Sequence, residues 1–249
     1  QERLVDHLLR GDVAGVGGFI AEKRATNWQF QRRMKRVKQQ RVMEARDAKC
    51  LSGGGLYRRS AIDGVDYFSD RNLKAYEEYD LGARLLTKGW RLLHLPRHAA
   101  DHYSYTLGTL PLLWLKLRSG SYQAQGQMLR AALLGNYLPR TFGDVFALRL
   151  SLAVWVYWLV VLLALLLLPY RAGITGAALA CVLGLVVFVG IRHRSLVSGL
   201  YSVFNWHLLA FIGVAGFFKR RRSPTDRIAS RILKDATPTA DTTIRAAAR

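Results

Sequence analysis

The sequence contains few cysteines and few acidic residues, and each shortage narrows the functions to consider. Only Cys50 and Cys181 occur among 249 residues, which excludes a disulfide framework and a cysteine-based metal site. Asp and Glu number 17 against 37 Lys and Arg, so the formal net charge is +20. This surplus favours an anionic partner such as anionic membrane lipid or a phosphorylated substrate. No nucleic-acid reader motif is recognisable, so nucleic acid is not expected as a partner.

The chain contains long stretches without charged residues. Residues 150–169 and 172–191 each contain 20 residues without a charge. At a rise of about 1.5 Å per residue, each covers about 30 Å, the thickness of the hydrocarbon core of a bilayer. Only Tyr170 and Arg171 separate the two stretches. We therefore expect an integral membrane protein with a tight helical transmembrane hairpin.

A third apolar stretch, residues 196–218, differs from the first two. Asn205 and His207 lie near its middle, where polar groups are costly in lipid unless they are partnered. Basic clusters flank both ends, at 192–194 and 219–222. Because Lys and Arg concentrate on the cytoplasmic side of membranes, we expect both ends on that side. The stretch is therefore interpreted as re-entrant or surface-lying, with a third span as the alternative.

An acidic cluster precedes the membrane region. Glu77, Glu78 and Asp80 fall within four residues, and the leucines that follow recur at helical spacing. Arg84 and Lys88 are expected on the opposite, polar side of this helix. The acids would then occupy the first helical turn, where the helix dipole favours carboxylates. Such a position suits a general base, although acids also occur at helix starts for stability alone.

The order of motifs around this cluster resembles that of family-two glycosyltransferases, inverting enzymes of the GT-A type. A glycine-rich turn and an Arg pair (GGGLYRRSAIDGVDYF) come first. The acidic pair with x-Asp-Leu, a Gly-Trp, a Pro and a closing His follow (YEEYDLGARLLTKGWRLLHLPRHAADHY). The likeness covers roughly residues 1–104. It implies an α/β fold, a truncated Rossmann-like GT-A domain, followed by the α-helical transmembrane hairpin.

The resemblance also implies an activity. A sugar would move from a nucleotide-sugar donor to a hydroxyl of a lipid-linked or polysaccharide acceptor, in cell-envelope polysaccharide or glycolipid synthesis. The soluble part would face the cytoplasm at the bacterial inner membrane. Glu78 stands where the family has its catalytic Asp, and Glu77 and Asp80 remain alternatives.

The remaining candidate residues are assigned to substrate and metal. Processive members of the family grip the acceptor with a Gln-x-x-Arg-Trp motif, and the segment after the α/β domain offers only partial matches. The substrate-binding candidates are Gly53, Gly54, Gly55, Arg58, Arg59, Trp114, Arg118 and Gln123. Arg58 and Arg59 suit phosphate because guanidinium groups donate bidentately. The resemblance implies a divalent metal, Mg²⁺ or Mn²⁺, and His102 is the candidate to contact it or the diphosphate.

In the family, an Asp-x-Asp motif upstream holds this metal, and no such motif precedes the first expected strand here. We therefore expect the donor half of the domain to lie outside these residues. A non-catalytic membrane scaffold or export subunit with a degenerate transferase domain is the alternative function. An Asp-x-Asp after a strand in a longer reading frame would favour the enzyme.

Four parts are expected along the chain. Residues 1–104 form the transferase domain, 105–146 an amphipathic interfacial segment, 147–218 the membrane region and 219–249 a basic, partly disordered cytoplasmic tail. Residues 27–49 are strongly basic and form either a solvated helix face or a site for anionic lipid headgroups, at about 1 kcal/mol per charge.

Overall fold

The structure is a computed structural model, and it describes residues 6, 8, 11–23, 31, 34, 44–52, 55–103 and 105–227. Several sequence-based predictions lie outside these residues. They concern the helix before Gly11, most of the basic segment 27–49, the candidates Gly53 and Gly54, and the tail from residue 228.

A mixed sheet forms the centre of the N-terminal domain. Its strands are β1 (Val13–Glu22), β2 (Arg46–Asp47), β3 (Gly55–Tyr57) and β4 (Arg91–His102), in the spatial order β2-β4-β1-β3. β1 runs parallel to β4, and the two outer strands pair antiparallel. Every residue of β1 is buried, which is typical of a strand covered on both faces.

Eight α-helices are described. They are α1 (Arg59–Asp63), α2 (Glu77–Thr87), α3 (Thr109–Arg118), α4 (Ala124–Leu134), α5 (Leu138–Asp144), α6 (Phe146–Leu167), α7 (Arg171–His193) and α8 (Leu196–Phe218). A short 3₁₀ turn, Ser121–Gln123, precedes α4. The chain therefore combines a small α/β domain with a mainly helical C-terminal part, in agreement with the coarse fold expected from the sequence.

Helix α2 packs against the sheet through its apolar side. Leu81 and Leu85 are buried with Leu92 of β4 in one core cluster. Gly89 follows the helix at φ +85°, a conformation that favours glycine. The helix itself matches the prediction. The expectation for Arg84 was wrong, because its side chain is mostly buried rather than facing solvent.

The three long C-terminal helices α6, α7 and α8 are each long and apolar enough to cross a membrane. Helix α7 contains the whole of the second uncharged stretch and extends beyond both of its ends. Helix α6 contains all but the last two residues of the first stretch and begins four residues before it. Their exposed surfaces are rich in leucine, phenylalanine and valine, as expected where lipid replaces water. The structure therefore supports a membrane protein with a helical hairpin.

Helix α8 is less apolar than the other two and packs closely on α4. A side chain at Gly126 would collide with the backbone at Gly213, and one at Gly216 with the backbone of Gln123. Glycine thus lets the two helices approach closely, as small residues do in membrane helix pairs. Two polar side chains in the middle of α8 also have partners. Asn205 accepts a hydrogen bond from the Tyr122 hydroxyl, and the Nδ1 atom of His207 lies 2.7 Å from a backbone carbonyl oxygen.

Candidate active site at the start of helix α2

Helix α2 begins with the acidic cluster, as the sequence predicted. Glu77, Glu78 and Asp80 all lie in its first turn, where unpaired backbone N–H groups favour negative charge. Tyr76 precedes the helix in the left-handed region at φ 73°. This conformation is unfavourable for a bulky residue, and such backbone strain clusters at functional sites.

The carboxylate of Glu78 acts on two ionisable side chains outside its own helix, Tyr57 of β3 and Cys50. Burial raises the pKa of the Tyr57 phenol, and the negative charges of Cys50 and Glu78 raise it further. Burial likewise raises the pKa of the Cys50 thiol; Ser52 opposes this shift by hydrogen bonding, and Glu78 adds to it. Glu78 is half-buried, and its charge acts on Cys50 and on Tyr57 of β3. The glycines Gly53 and Gly54 lie outside the described residues.

Glu77 has an open acceptor position. Its Oε2 atom is buried and has no hydrogen-bond partner among the described residues. Buried carboxylate oxygens are nearly always hydrogen-bonded in folded proteins. This oxygen therefore has an unused capacity to accept a hydrogen bond.

Asp80 has a different environment from the two glutamates. Its side chain is 0% exposed and accepts hydrogen bonds from Arg84, at 2.8 and 3.0 Å, and from the Tyr137 hydroxyl. Arg84 in turn donates to the carbonyl oxygens of Val65 and Tyr67, both at 2.7 Å. A carboxylate held this way stabilises the fold around α2, which leaves Glu78 and Glu77 as the acids whose carboxylates are not held by such a network.

The two arginines after the glycine-rich turn are engaged differently. Arg58 donates through Nε to the carbonyl oxygen of Val13 at 3.2 Å and through Nη2 to that of Leu8. These two bonds hold the residue after β3 against β1 and the chain that precedes it. Arg59 is exposed and pairs with Asp63 on its own helix at 2.9 Å. Of the two, Arg59 has the guanidinium that a phosphate group could more readily reach.

His102 lies at the end of β4, beside the end of β1. Its Nδ1 atom is 2.9 Å from the buried carboxylate of Glu22. In the described part of the chain, no group of three or more His, Cys, Asp or Glu side chains could hold a metal ion. Mg²⁺ takes about six oxygen ligands, so His102 and Glu22 alone do not form such a site. The divalent metal remains a prediction from the resemblance.

The candidates after the α/β domain lie on α3 and beside α8. On α3, the guanidinium of Arg118 lies 5.0 Å from the centre of the Trp114 ring, and both side chains are exposed. Gln123 accepts a hydrogen bond from the ammonium of Lys219 at 3.1 Å. Gln123 therefore lies beside the end of α8.

Two residues of α4 that were not among the candidates from the sequence connect this helix to the loop before α2 and to the end of α8. The buried Gln127 accepts a hydrogen bond from the backbone N–H of Lys74, in the loop before α2, at 3.1 Å. Arg130 donates to the backbone carbonyls of Phe217 and Lys219 at the end of α8. The Gln-x-x-Arg spacing of Gln127 and Arg130 could have identified them from the sequence, but Ala131 stands where the motif of the resembling family has Trp.

Comparisons of the chain with protein-family models, with curated proteins and with solved structures found no match.

Proposed function

We propose that this chain forms the acceptor side of a membrane-bound, inverting glycosyltransferase. It would move a sugar from a nucleotide-sugar donor to a hydroxyl of a lipid-linked or polysaccharide acceptor at the cytoplasmic face of the bacterial inner membrane. The observation that carries the proposal is the first turn of α2. It places two half-buried glutamates at the start of a helix, on a domain attached to membrane helices.

In the proposed reaction, Glu78 is the general base. Its carboxylate takes the proton of the acceptor hydroxyl while that oxygen attacks the anomeric carbon from the face opposite the leaving group. The bond from this carbon to the diphosphate oxygen breaks, and the nucleoside diphosphate leaves with the electron pair. Attack from the opposite face inverts the configuration. A positioned base of this kind contributes about 10²–10⁴ in rate.

Neighbouring residues support this assignment of roles. The unpartnered Oε2 of Glu77 suits a second acceptor hydroxyl, which would orient the sugar or lipid for attack. Gln127 ties α4 to the loop that leads into α2. An acceptor that arrives along the membrane surface would thus meet the glutamates at a fixed height above the membrane helices.

The proposal is tested with the full-length protein in native membranes. A panel of nucleotide sugars with a radiolabelled sugar is supplied, and label is followed into lipid and polymer fractions together with nucleoside diphosphate release. Transfer from one donor, lost in Glu78→Gln, supports the enzyme. Membranes in which no donor yields transfer, although the protein is folded and present, would favour the non-catalytic scaffold or export subunit.

A further inference from the structure

An apolar groove lies between α4, α6 and α8. It encloses about 490 Å³, within the range of about 300–1,000 Å³ that is typical of ligand sites. Its walls include Leu129 of α4, Leu148 and Leu152 of α6, and Val214 and Phe217 of α8. An apolar chain fits such walls, whereas a sugar or a nucleotide would leave its polar groups unpaired.

The lining of the groove does not include the candidate active site. Gln125 and Leu129 of α4 line the groove, and among the described residues none of α2 does. Gln127, which bonds to the loop before α2, is turned by about 160° from both of them at 3.6 residues per turn. A binding role of the groove therefore does not depend on the proposed transferase activity.

Basic side chains gather where the groove ends. Phe217 and Phe218 line it directly before the exposed basic cluster Lys219–Arg222. Arg130 adds a further cation at this end, since it donates to the carbonyl oxygen of Phe217 at 2.9 Å. One acid is close by: Asp70 lies 3.8 Å from Arg221. The surplus of positive charge at one end of an apolar groove complements an anionic headgroup on an apolar chain.

The groove also contains one unsatisfied polar atom. Gln125 is 3% exposed, and its Nε2 donates to the Ala147 carbonyl oxygen at 2.9 Å and to the Ser151 hydroxyl oxygen at 2.7 Å. Its Oε1 is buried without a hydrogen-bond partner among the described residues. An occupant that carries a hydroxyl group would supply the missing donor.

We propose that this groove is a binding site for one anionic glycerophospholipid. One acyl chain fills the space between α4, α6 and α8, and the phosphate lies against Arg130 and the cluster Lys219–Arg222. A hydroxyl of the glycerol headgroup donates to Gln125. The bound lipid would bridge α4 and the end of α8, and so attach the α/β domain to the membrane helices at a fixed position.

The test measures lipid retention by the full-length protein. The protein is reconstituted in vesicles of equal parts phosphatidylglycerol and phosphatidylcholine, extracted in mild detergent and examined by native mass spectrometry. We expect one retained phosphatidylglycerol per chain. Leu152→Trp should fill the groove and lower retention by about tenfold, the equivalent of about 1.4 kcal/mol. Leu163→Trp on the same helix is the matched control, because the two leucines are 46% and 45% exposed and Leu163 does not line the groove.

A second set of variants tests the headgroup contact with exposed residues. Replacing Lys219, Arg220 and Arg222 together by Gln should remove the preference for phosphatidylglycerol over phosphatidylcholine. Replacing Arg171, Arg192 and Arg194 together by Gln, at other helix ends, should leave it unchanged. Three results would each overturn the proposal. They are wild-type retention in Leu152→Trp, equal retention of both phospholipids by the native protein, and preferred retention of an added isoprenoid phosphate. Val214→Trp, on the facing wall, replaces Leu152→Trp if that variant misfolds.

Discussion

Asn72 and Arg222 exchange two hydrogen bonds, although 150 positions separate them in the chain. The Nδ2 atom of Asn72 donates to the carbonyl oxygen of Arg222 at 2.7 Å, and the backbone N–H of Arg222 donates to Oδ1 at 2.8 Å. Arg71 adds a bond to the carbonyl oxygen of Asp226 at 3.3 Å. The segment after α8 therefore lies against the loop that precedes α2, on the same side of the membrane helices as the α/β domain.

This contact restricts how the three long helices can cross a bilayer. If α6, α7 and α8 each crossed completely, the residues before α6 and those after α8 would emerge on opposite faces. An even number of crossings is required to keep Asn72 and Arg222 together. We propose that α8 is the helix that does not cross completely, because it is the least apolar of the three and packs on α4. A re-entrant or surface-lying α8 stays a prediction from its sequence.

The first prediction concerns this topology. In a Cys50→Ala, Cys181→Ala background, single cysteines at Ser60 and Ser223 should react with a membrane-impermeant maleimide from the same side. A cysteine at Arg171, the first residue of α7, should react only from the other side. Right-side-out and inverted vesicles distinguish the two faces.

The opposite labelling pattern would be equally clear. If Ser60→Cys and Ser223→Cys react from different sides, α8 crosses the bilayer and the Asn72–Arg222 contact does not exist in the membrane. The same experiment tests whether the domain faces the cytoplasm, which basic flanking residues predict.

The second prediction separates a buried ion pair from an exposed one. Asp80→Asn leaves the mostly buried Arg84 without its counter-charge and should lower the free energy of unfolding by about 3–5 kcal/mol. Asp63→Asn removes the exposed partner of Arg59, with the same four-residue spacing, and should change stability little. Thermal unfolding in detergent, followed by intrinsic fluorescence, compares them. Equal losses would mean that the Asp80 pair is solvated and that its structural role is wrong.

Local patterns account for what the sequence predicted correctly. Helix α2 and the two long apolar helices follow from periodicity and charge within single segments, so residue spacing sufficed. The environment of Asp80 did not follow, because it depends on Tyr137, 57 positions away. Arg84 was placed on the polar side of α2, yet the backbone at Val65 and Tyr67 covers that side. Such long-range contacts leave no periodic signal in the sequence.

In the candidate site, too, local features could be predicted from the sequence and long-range contacts could not. The acidic turn could be identified from consecutive residues, whereas Gly53 and Gly54 of the glycine-rich turn lie outside the described residues. Gln127 was missed, because its bond to Lys74 joins residues 53 positions apart. The assignment of roles among Glu77, Glu78 and Asp80 likewise required knowledge of which carboxylate is buried and bonded.

The third prediction tests the position of Glu78 without an activity assay. Its carboxylate contributes to the raised pKa of the Cys50 thiol, after burial. In Glu78→Gln this negative charge is absent, so the pKa of Cys50 should fall and the thiolate fraction at pH 8 should rise. Alkylation by iodoacetamide in a Cys181→Ala background should then be faster. Glu77→Gln is the control and should leave the rate unchanged; a faster rate in that variant alone would exchange the positions assigned to the two glutamates.

The last prediction concerns the chemistry of the full-length enzyme. Glu78→Gln keeps the size and hydrogen-bonding reach of the side chain but cannot accept a proton at neutral pH. If Glu78 is the base, kcat should fall by about 10²–10⁴ while donor affinity changes little, because the lost interaction belongs to the transition state. Initial rates of sugar transfer measure the first effect, and equilibrium binding of the nucleotide sugar measures the second.

Three further variants decide between the neighbouring acids. Glu78→Asp restores the residue that the resembling family has at this position, so it should retain substantial activity. Glu77→Gln should lower activity less than Glu78→Gln and act mainly on KM for the acceptor, since its free oxygen suits an orienting contact. Asp80→Asn should lose activity only in proportion to folded protein, because its carboxylate is buried among Arg84 and Tyr137. A fully active Glu78→Gln beside a folded but inactive Asp80→Asn would transfer the base role to Asp80. Normal turnover in all three neutral variants would reduce the cluster to a charged helix start and favour the scaffold.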